Sequence, residues 1–251
     1  MSNTVNREQR LHNRSDFLAN IAQQLGRDKP LNQVERPALR HTCHKEVMAN
    51  FTQDDLKNEL VRYTETSLGA KAVVTTKAEL ENALKQVCFD YCQDDQGNTL
   101  AGETIISASP ALLELVSPSA LANDEHHVHV WDAAAGFAAN IAIAERAKVG
   151  IVWAEQALAE SGTMVLYSQV NQGRAVSLLP EASVFVVAKS HLMPRLTQAT
   201  ALLHQKASQG ERVPSCVNFI SGPSSTADIE LIKVVGVHGP VFATYVIIDD
   251  M

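Results

Sequence analysis

Residues 159–240 hold three short islands: AESGT at 159–163, RAVSLLP at 174–180, and SGPSSTADIE at 221–230 together with GVHGP at 236–240. Each island joins glycine or proline to hydroxyl side chains and a charge, and each borders an apolar run. Glycine lets backbone approach a ligand closely, and hydroxyls with free N–H groups bind anions where a strand turns into a helix. Any one island is equally typical of a tight turn. Because three such islands lie in the last third of the chain, we predict that they form a shared pocket.

Outside these islands, predicted helices and strands alternate. Helical spacing of apolar residues covers 52–68, 77–90, 111–116, 134–148 and 191–209. Short apolar runs predict strands at 70–75, 104–107, 128–131, 149–152, 163–167, 184–188 and 216–221. Such alternation is typical of parallel strands with crossover helices. Two further strands are predicted at 231–237 and 241–248, and this strand-rich end indicates a mixed edge of the sheet. We therefore predict an α/β fold whose sheet is largely parallel and has a mixed edge.

The first 42 residues differ from the rest. Residues 2–26 predict a helix, because apolar side chains recur at helical spacing and Gly26 suits a C-cap. Pro30 and Pro37 lie in a polar stretch, 28–42, that predicts an extended linker. We therefore expect an N-terminal helix and linker at 1–42 and an α/β domain at 43–251. The helix is expected to be less tightly attached than that domain, so that it either packs on a partner chain or exchanges its amide hydrogens quickly.

Composition narrows the class of protein. The chain has 251 residues, 45% hydrophobic and 20% charged, with a net charge of −7. The negative electrostatic field of such a protein does not attract nucleic acid or anionic lipid. No apolar run reaches the roughly 20 residues of a membrane span, and the polar start lacks the apolar region of a signal peptide. We expect a cytoplasmic protein whose four cysteines are free thiols.

The cysteines do not predict a metal centre. Cys88 and Cys92 share one helix face at i and i+4, but iron–sulfur proteins need closely spaced runs such as C-x2-C-x2-C. We therefore predict no metal site and interpret both cysteines as small apolar core residues. The sequence also lacks GxGxxG, GxxxxGK[ST] and GxSxG motifs, so a dinucleotide fingerprint, a P-loop and a hydrolase elbow are unsupported.

The third island is the candidate anion site. Gly222, Ser224, Ser225 and Thr226 follow a predicted strand and would offer hydroxyls and N–H groups to a phosphate or carboxylate. Asp228 would repel an anion unless turned away, so it could instead bind a ribose hydroxyl, hold a lysine or cap a helix. An ordinary helix N-cap is the alternative interpretation of the whole segment.

Three further side chains are candidates. Glu160 could be a general base or bind substrate hydroxyls, and Arg174, placed before an apolar strand, suits bidentate binding of a carboxylate or phosphate. His238 stands between glycines and could act as acid, base or ligand near neutral pH. The alternatives are a surface glutamate, a surface ion pair and a hydrogen-bonded turn histidine.

The order of the islands resembles the lactate-utilization protein C family (LutC/YkgG), whose unit is the LUD domain. RSDFL at 14–18, with Ile21-Ala22 and Leu25-Gly26-Arg27, is similar to that family's opening helix. The resemblance implies a Rossmann-like sheet similar to ribose-5-phosphate isomerase, sugar-phosphate deaminases and CoA transferases. CoA transferases use a glutamate as a covalent nucleophile, but nothing in the chain places Glu160 at that position.

The resemblance also implies a function. It indicates a subunit, without its own iron–sulfur cluster, of a three-component system that oxidises L-lactate to pyruvate, with two iron–sulfur partners. A small ligand bearing a carboxylate or phosphate is expected; any cofactor, the subunit's own catalytic role and homo-oligomerisation stay open. The alternatives are a stand-alone enzyme acting on a phosphorylated sugar, a CoA ester or a folate-type substrate, and a non-catalytic assembly protein.

Overall fold

A computed structural model of the protein describes residues 12–33, 35, 37–94, 96–98, 100–227 and 232–251. The chain divides between Thr42 and Cys43 into two compact units. The first contains helix α1 (Arg14–Gln24), which lies within the predicted helix, whereas the predicted residues 2–11 fall outside the described part of the chain. Between α1 and Thr42 the described residues form no helix or strand.

The second unit alternates helices and strands. Its helices are α2 (Cys43–Glu46), α3 (Gln53–Tyr63), α4 (Leu80–Tyr91), α5 (Pro110–Leu113), α6 (Gly136–Arg146), α7 (Ala175–Leu178) and α8 (Leu196–Ser208). Helix α3 begins at a capping box, in which Thr52 and Asp55 each bond the other's backbone N–H, and continues into a π-helical turn, Thr64–Leu68. Within the described residues, no helix combines the length and the apolar character needed to cross a bilayer.

The described strands number twelve. They are β1 (Lys71–Thr75), β2 (Gly102–Ile106), β3 (His126–Val130), β4 (Val149–Trp153), β5 (Gln156–Leu158), β6 (Thr163–Tyr167), β7 (Ala182–Ala188), β8 (Leu192–Met193), β9 (Val217–Ser221), β10 (Ser225–Ala227), β11 (Lys233–Val235) and β12 (Phe242–Ile248).

Six strands form a wholly parallel central sheet in the order β1-β12-β7-β4-β2-β3. The predicted α/β class and parallel sheet are confirmed. Antiparallel pairing lies in two smaller sheets, β8-β5-β6-β9 and β10-β11, rather than at an edge of the central one. The antiparallel pairing lies outside the central sheet because β9 pairs with β6 instead of joining the parallel strands.

Each face of the central sheet carries its own core. Phe185, Tyr245 and Ile247 point to one face, where Leu60 of α3 and Met164 of β6 pack on them. Val184, Val186 and Val246 alternate with them and point to the other face, where α4 and α5 pack. Strands β4 and β7 are buried along their whole length, as expected for parallel strands covered on both sides.

Helix α7 sits directly on strand β4 because Gly150 has no side chain. A Cβ at Gly150 would overlap the carbonyl oxygen of Val176 and approach the ring of Pro180 to 2.8 Å. The RAVSLLP island therefore lies against the first residues of strand β4 in the central sheet.

We expect trypsin to cut the native protein between the two units. Arg27, Lys29 and Arg40 are exposed and lie outside helices and strands, whereas the exposed Lys85 lies within α4. Limited digestion followed by mass spectrometry should give a resistant fragment that begins after Arg40 and keeps its far-ultraviolet circular dichroism. Cleavage at Lys85 before any cut at 27–40 would contradict the predicted boundary.

Replacing Gly150 by alanine should strongly destabilise the fold. The added methyl has to displace backbone of α7, which we expect to cost about 3 kcal/mol. Gly69→Ala is the matched control, because that glycine has φ +66° but open space around it, and should cost about 1 kcal/mol. Urea unfolding measures both. If the two variants lose the same free energy of unfolding, α7 moves away from the added methyl without an energetic cost, and the prediction is wrong.

Candidate functional site

A cavity of about 270 Å³ lies where the second and third islands meet. The islands contribute Ser177, Leu178, Gly222, Ser224 and His238 to its lining. Strand β7 supplies Ser183 and Phe185 as the floor, and Phe219 of β9 forms part of the wall. The structure thus brings Gly222, Ser224 and His238 of the predicted site together.

Backbone hydrogen bonds hold the two halves of the third island against each other. Ser224 N donates to the carbonyl of Pro240 at 2.9 Å, and Gly236 N donates to the carbonyl of Ser224 at 2.9 Å. Ser224 is therefore clamped between the two ends of GVHGP. His238, within GVHGP, is exposed and lines the cavity together with Ser224.

The segment after Gly222 is not the strand-to-helix turn that we predicted. Ser225, Thr226 and Ala227 form β10, which pairs antiparallel with β11, so they lie in a hairpin and are exposed. In an antiparallel pair, alternate N–H groups of a strand bond to its partner, so these residues form strand ladder bonds instead of a helix N-terminus within the described part of the chain. Neither Ser225 nor Thr226 lines the cavity among the described residues, and Asp228 lies outside the described part of the chain.

One buried hydroxyl joins the first island to the third. Tyr245 of β12 accepts a hydrogen bond from Gly222 N at 2.7 Å and donates one to the carbonyl of Gly162 at 2.7 Å. Burial raises the pKa of the Tyr245 phenol to about 12, so the group stays protonated and able to donate. The glycines have φ +56° and +66°, a backbone conformation that excludes most side chains.

A line of hydroxyls reinforces this joint. Ser161 Oγ lies 2.7 Å from Thr163 Oγ1, which in turn lies 2.6 Å from Ser221 Oγ. Thr163 and Ser221 face each other across the antiparallel β6–β9 pair. The hydroxyls of Ser161, Thr163 and Ser221 therefore bond to one another.

Glu160 lies outside the cavity. Its carboxylate accepts a hydrogen bond from Arg195 Nε at 2.6 Å, and its backbone N–H donates to the carbonyl of Pro194 at 3.1 Å. The side chain is thus directed to the start of α8 rather than to His238 and Ser224. Its predicted role as a base stays a prediction that this geometry does not support.

Arg174 precedes a helix and not the apolar strand that we predicted. It is the exposed N-cap of α7, a single turn that the missing side chain of Gly150 admits. It lines a narrow cleft that shares Ser177 with the main cavity. Among the described residues, no carboxylate pairs with its guanidinium, so Arg174 can meet an incoming anion.

The cavity lining carries little charge of its own. Its described polar side chains are the hydroxyls of Ser177, Ser183, Ser221 and Ser224 and the imidazole of His238, with no lysine, arginine or carboxylate. Such a lining suits a small ligand with hydroxyl or carboxylate oxygens. No group of three or more His, Cys, Asp or Glu that could hold a metal ion is found within the residues the structure describes.

The carboxyl edge of the central sheet, where open α/β sheets bind ligands, is occupied by ion pairs. Lys57 and Lys189 contact Asp249, just after β12, at 2.7 and 3.0 Å, and both contact Asp54 at 3.2 Å. The hydrogen bond from Lys57 holds the pKa of Asp249 below its usual range. The candidate cavity instead borders the first half of β7, through Ser183 and Phe185.

Sequence reasoning missed Ser183, Phe219 and Tyr245. Ser183 interrupts the apolar strand β7, which is a detectable signal, and its Oγ donates to the carbonyl of Ser177 at 2.8 Å. Tyr245 carries no such signal, because an aromatic residue in a strand is ordinarily core. Its role depends on a contact between three segments that are far apart in the chain.

The chain is similar to the proteins of one family over most of its length. The LUD domain profile matches residues 58–248. The uncharacterized protein YkgG of Escherichia coli is 43% identical over 240 residues, covering 96% of this chain and all of YkgG. Lactate utilization protein C of Geobacillus kaustophilus is 42% identical over 245 residues, covering 96% of this chain and 98% of that protein.

A solved structure agrees at the level of the fold. The crystal structure of a DUF162 family protein from Deinococcus radiodurans superposes with a TM-score of 0.53 at 17% identity. The match covers 79% of this chain and 99% of the other.

Removing the Tyr245 hydroxyl should loosen the joint between the islands. Tyr245→Phe leaves the Gly222 N–H and the Gly162 carbonyl buried without partners, which we expect to cost about 3 kcal/mol. Tyr167→Phe is the control, because the Tyr167 hydroxyl has no hydrogen bond among the described residues. Urea unfolding compares the two variants. If both lose a similar free energy of unfolding, the two hydrogen bonds of Tyr245 do not stabilise the fold.

Proposed function

The chain belongs to the LUD domain family, and from that premise we propose that it acts in lactate utilization as a subunit of an L-lactate-oxidising system. The observation that carries the proposal is the near full-length similarity to lactate utilization protein C of Geobacillus kaustophilus. In this proposal the chain binds the substrate and two iron–sulfur subunits receive the electrons.

The cavity supports a substrate-binding role. Lactate is small, with one carboxylate and one hydroxyl. The lining offers the Ser224 hydroxyl as a donor, whereas the hydroxyls of Ser177 and Ser183 donate to backbone carbonyls and can still accept a hydrogen bond. The guanidinium of Arg174 at the adjoining cleft would pair with the carboxylate, because arginine binds carboxylates through two parallel hydrogen bonds.

The reaction needs a proton acceptor as well as an electron acceptor. Conversion of lactate to pyruvate removes two electrons and two protons, one of them from the hydroxyl. His238 is the only titratable side chain among the described residues that line the cavity, so we assign it the hydroxyl proton. The two electrons and the remaining proton leave toward the partner subunits.

The exposed hairpin β10–β11 supports a subunit rather than an isolated protein. Val234 and Val235 alternate along β11, so they lie on opposite faces, and they are 47% and 41% exposed. Val237, next to the hairpin, is 54% exposed. Apolar side chains on both faces of a two-stranded sheet are typical of a surface covered by another protein.

Deleting the gene should abolish growth on L-lactate and lactate-dependent dye reduction in extracts, and the native chain should restore both. Arg174→Gln should raise the lactate concentration for half-maximal rate at least tenfold, because it removes charge-assisted hydrogen bonds worth about 1.5 kcal/mol each. His238→Ala should mainly lower the maximal rate. Arg62→Gln is the control, because Arg62 is exposed on α3 and pairs with Glu59.

The outcomes separate the alternatives. Normal growth on lactate without the gene would refute the proposed function. Full rescue by both Arg174→Gln and His238→Ala would favour a non-catalytic assembly protein. Co-purification of the tagged native chain with two iron–sulfur proteins would support the subunit arrangement, and its absence alongside lost growth would favour a stand-alone enzyme.

A further inference from the structure

A second and larger cavity, of about 430 Å³, lies on the opposite face of the central sheet. It is formed between α4, Leu100 before β2, the 3-10 turn Pro118–Leu121 and His126 at the start of β3. It shares no described lining residue with the candidate site. Its volume falls within the roughly 300–1,000 Å³ of small-molecule sites in proteins.

The inner walls are apolar. Leu121, Cys88 and Cys92 are each 2% exposed, and the two thiols lie one helical turn apart at the end of α4. Burial raises the pKa of the Cys88 thiol to about 12 and also raises that of Cys92. Both thiols are therefore protonated at neutral pH, and a buried protonated thiol behaves as a small apolar group rather than a nucleophile.

His126 forms the polar end of the cavity, but its nitrogens are already engaged. Its Nε2 lies 2.8 Å from Thr104 Oγ1, and its Nδ1 lies 3.4 Å from Cys92 Sγ. Burial lowers the pKa of His126, which keeps the imidazole neutral. A ligand in this cavity would therefore meet an uncharged side chain at His126.

The mouth combines exposed apolar side chains with one cation. Phe89 and Leu100 line it and are 39% and 43% exposed. Of the lining residues that the structure describes, Lys85 alone carries a charge, and its ammonium has no partner among them. The neighbouring amides are occupied, since Asn82 donates to Glu79 and Gln86 donates to Asp90.

We propose that this cavity binds an aromatic organic anion, with its ring between Phe89, Leu121 and the two thiols and its charge at Lys85. The apolar walls, the Phe89 ring and the uncharged imidazole favour an aromatic hydrocarbon body. The Lys85 ammonium, which has no partner within the described residues, favours a single carboxylate or sulfonate. This site is separate from the proposed lactate site, so its failure would leave the function proposal untouched.

The test uses 8-anilinonaphthalene-1-sulfonate, a flat aromatic anion that fluoresces strongly in apolar surroundings, titrated into the full-length native chain. We expect saturable binding of one probe per chain. Lys85→Glu should weaken that binding at least tenfold, because it places a negative charge beside the sulfonate. Lys77→Glu is the matched control: Lys77 is exposed just before α4, does not line the cavity, and should leave binding unchanged.

A second variant separates this cavity from the apolar hairpin. Val234→Ser removes an exposed valine of β11 and should not change the affinity. Loss of binding in Val234→Ser with full binding in Lys85→Glu would place the probe on the hairpin and overturn the proposal. Absence of one-to-one binding to the native chain would overturn it as well. Both substituted side chains are exposed, and melting curves confirm that each variant is folded.

Discussion

The buried hydroxyl of Tyr245 connects parts of the fold that are otherwise separate. Tyr245 belongs to the parallel central sheet, whereas Gly162 precedes β6 and Gly222 follows β9 in the four-stranded sheet. The ring packs edge-on against Phe185 at 5.6 Å. Because the hydroxyl satisfies one donor and one acceptor deep in the core, the two sheets can meet there without leaving polar backbone unpaired.

The candidate cavity follows from that joint. Once Gly222 is held against β12, Ser224 lies close enough to Pro240 and Gly236 for its two backbone hydrogen bonds. Leu178 and Ser177 close the remaining side, because Gly150 admits α7 onto the sheet. The glycines of the islands thus serve mainly to bring backbone segments together, and the serines among them line the space that results.

The two faces of the central sheet have different chemistry. One face holds a hydroxyl-lined cavity beside Arg174, which has no carboxylate partner within the described residues, and there we propose a small polar anion. The other holds an apolar cavity with Lys85 at its mouth, which likewise lacks a partner in the part of the chain that the structure describes, and there we propose an aromatic anion. In a chain of net charge −7, each of these cations is a local attraction for an anion that the overall field repels.

Periodicity in the sequence determined the α/β class, the parallel sheet and most of its strands, because apolar runs such as 149–152 and 184–188 are buried on both faces. It also predicted that Gly222, Ser224 and His238 share a site. Only the tertiary structure decided that Ser225 and Thr226 enter a hairpin, that Glu160 turns to Arg195, and that Arg174 starts a helix turn. Strands of two or three residues have too few side chains to show a period, and the partner of a side chain depends on segments distant in the chain. The roles of Tyr245, and of Cys92 beside His126, arise in the same way, because contacts between distant segments leave no local pattern in the sequence.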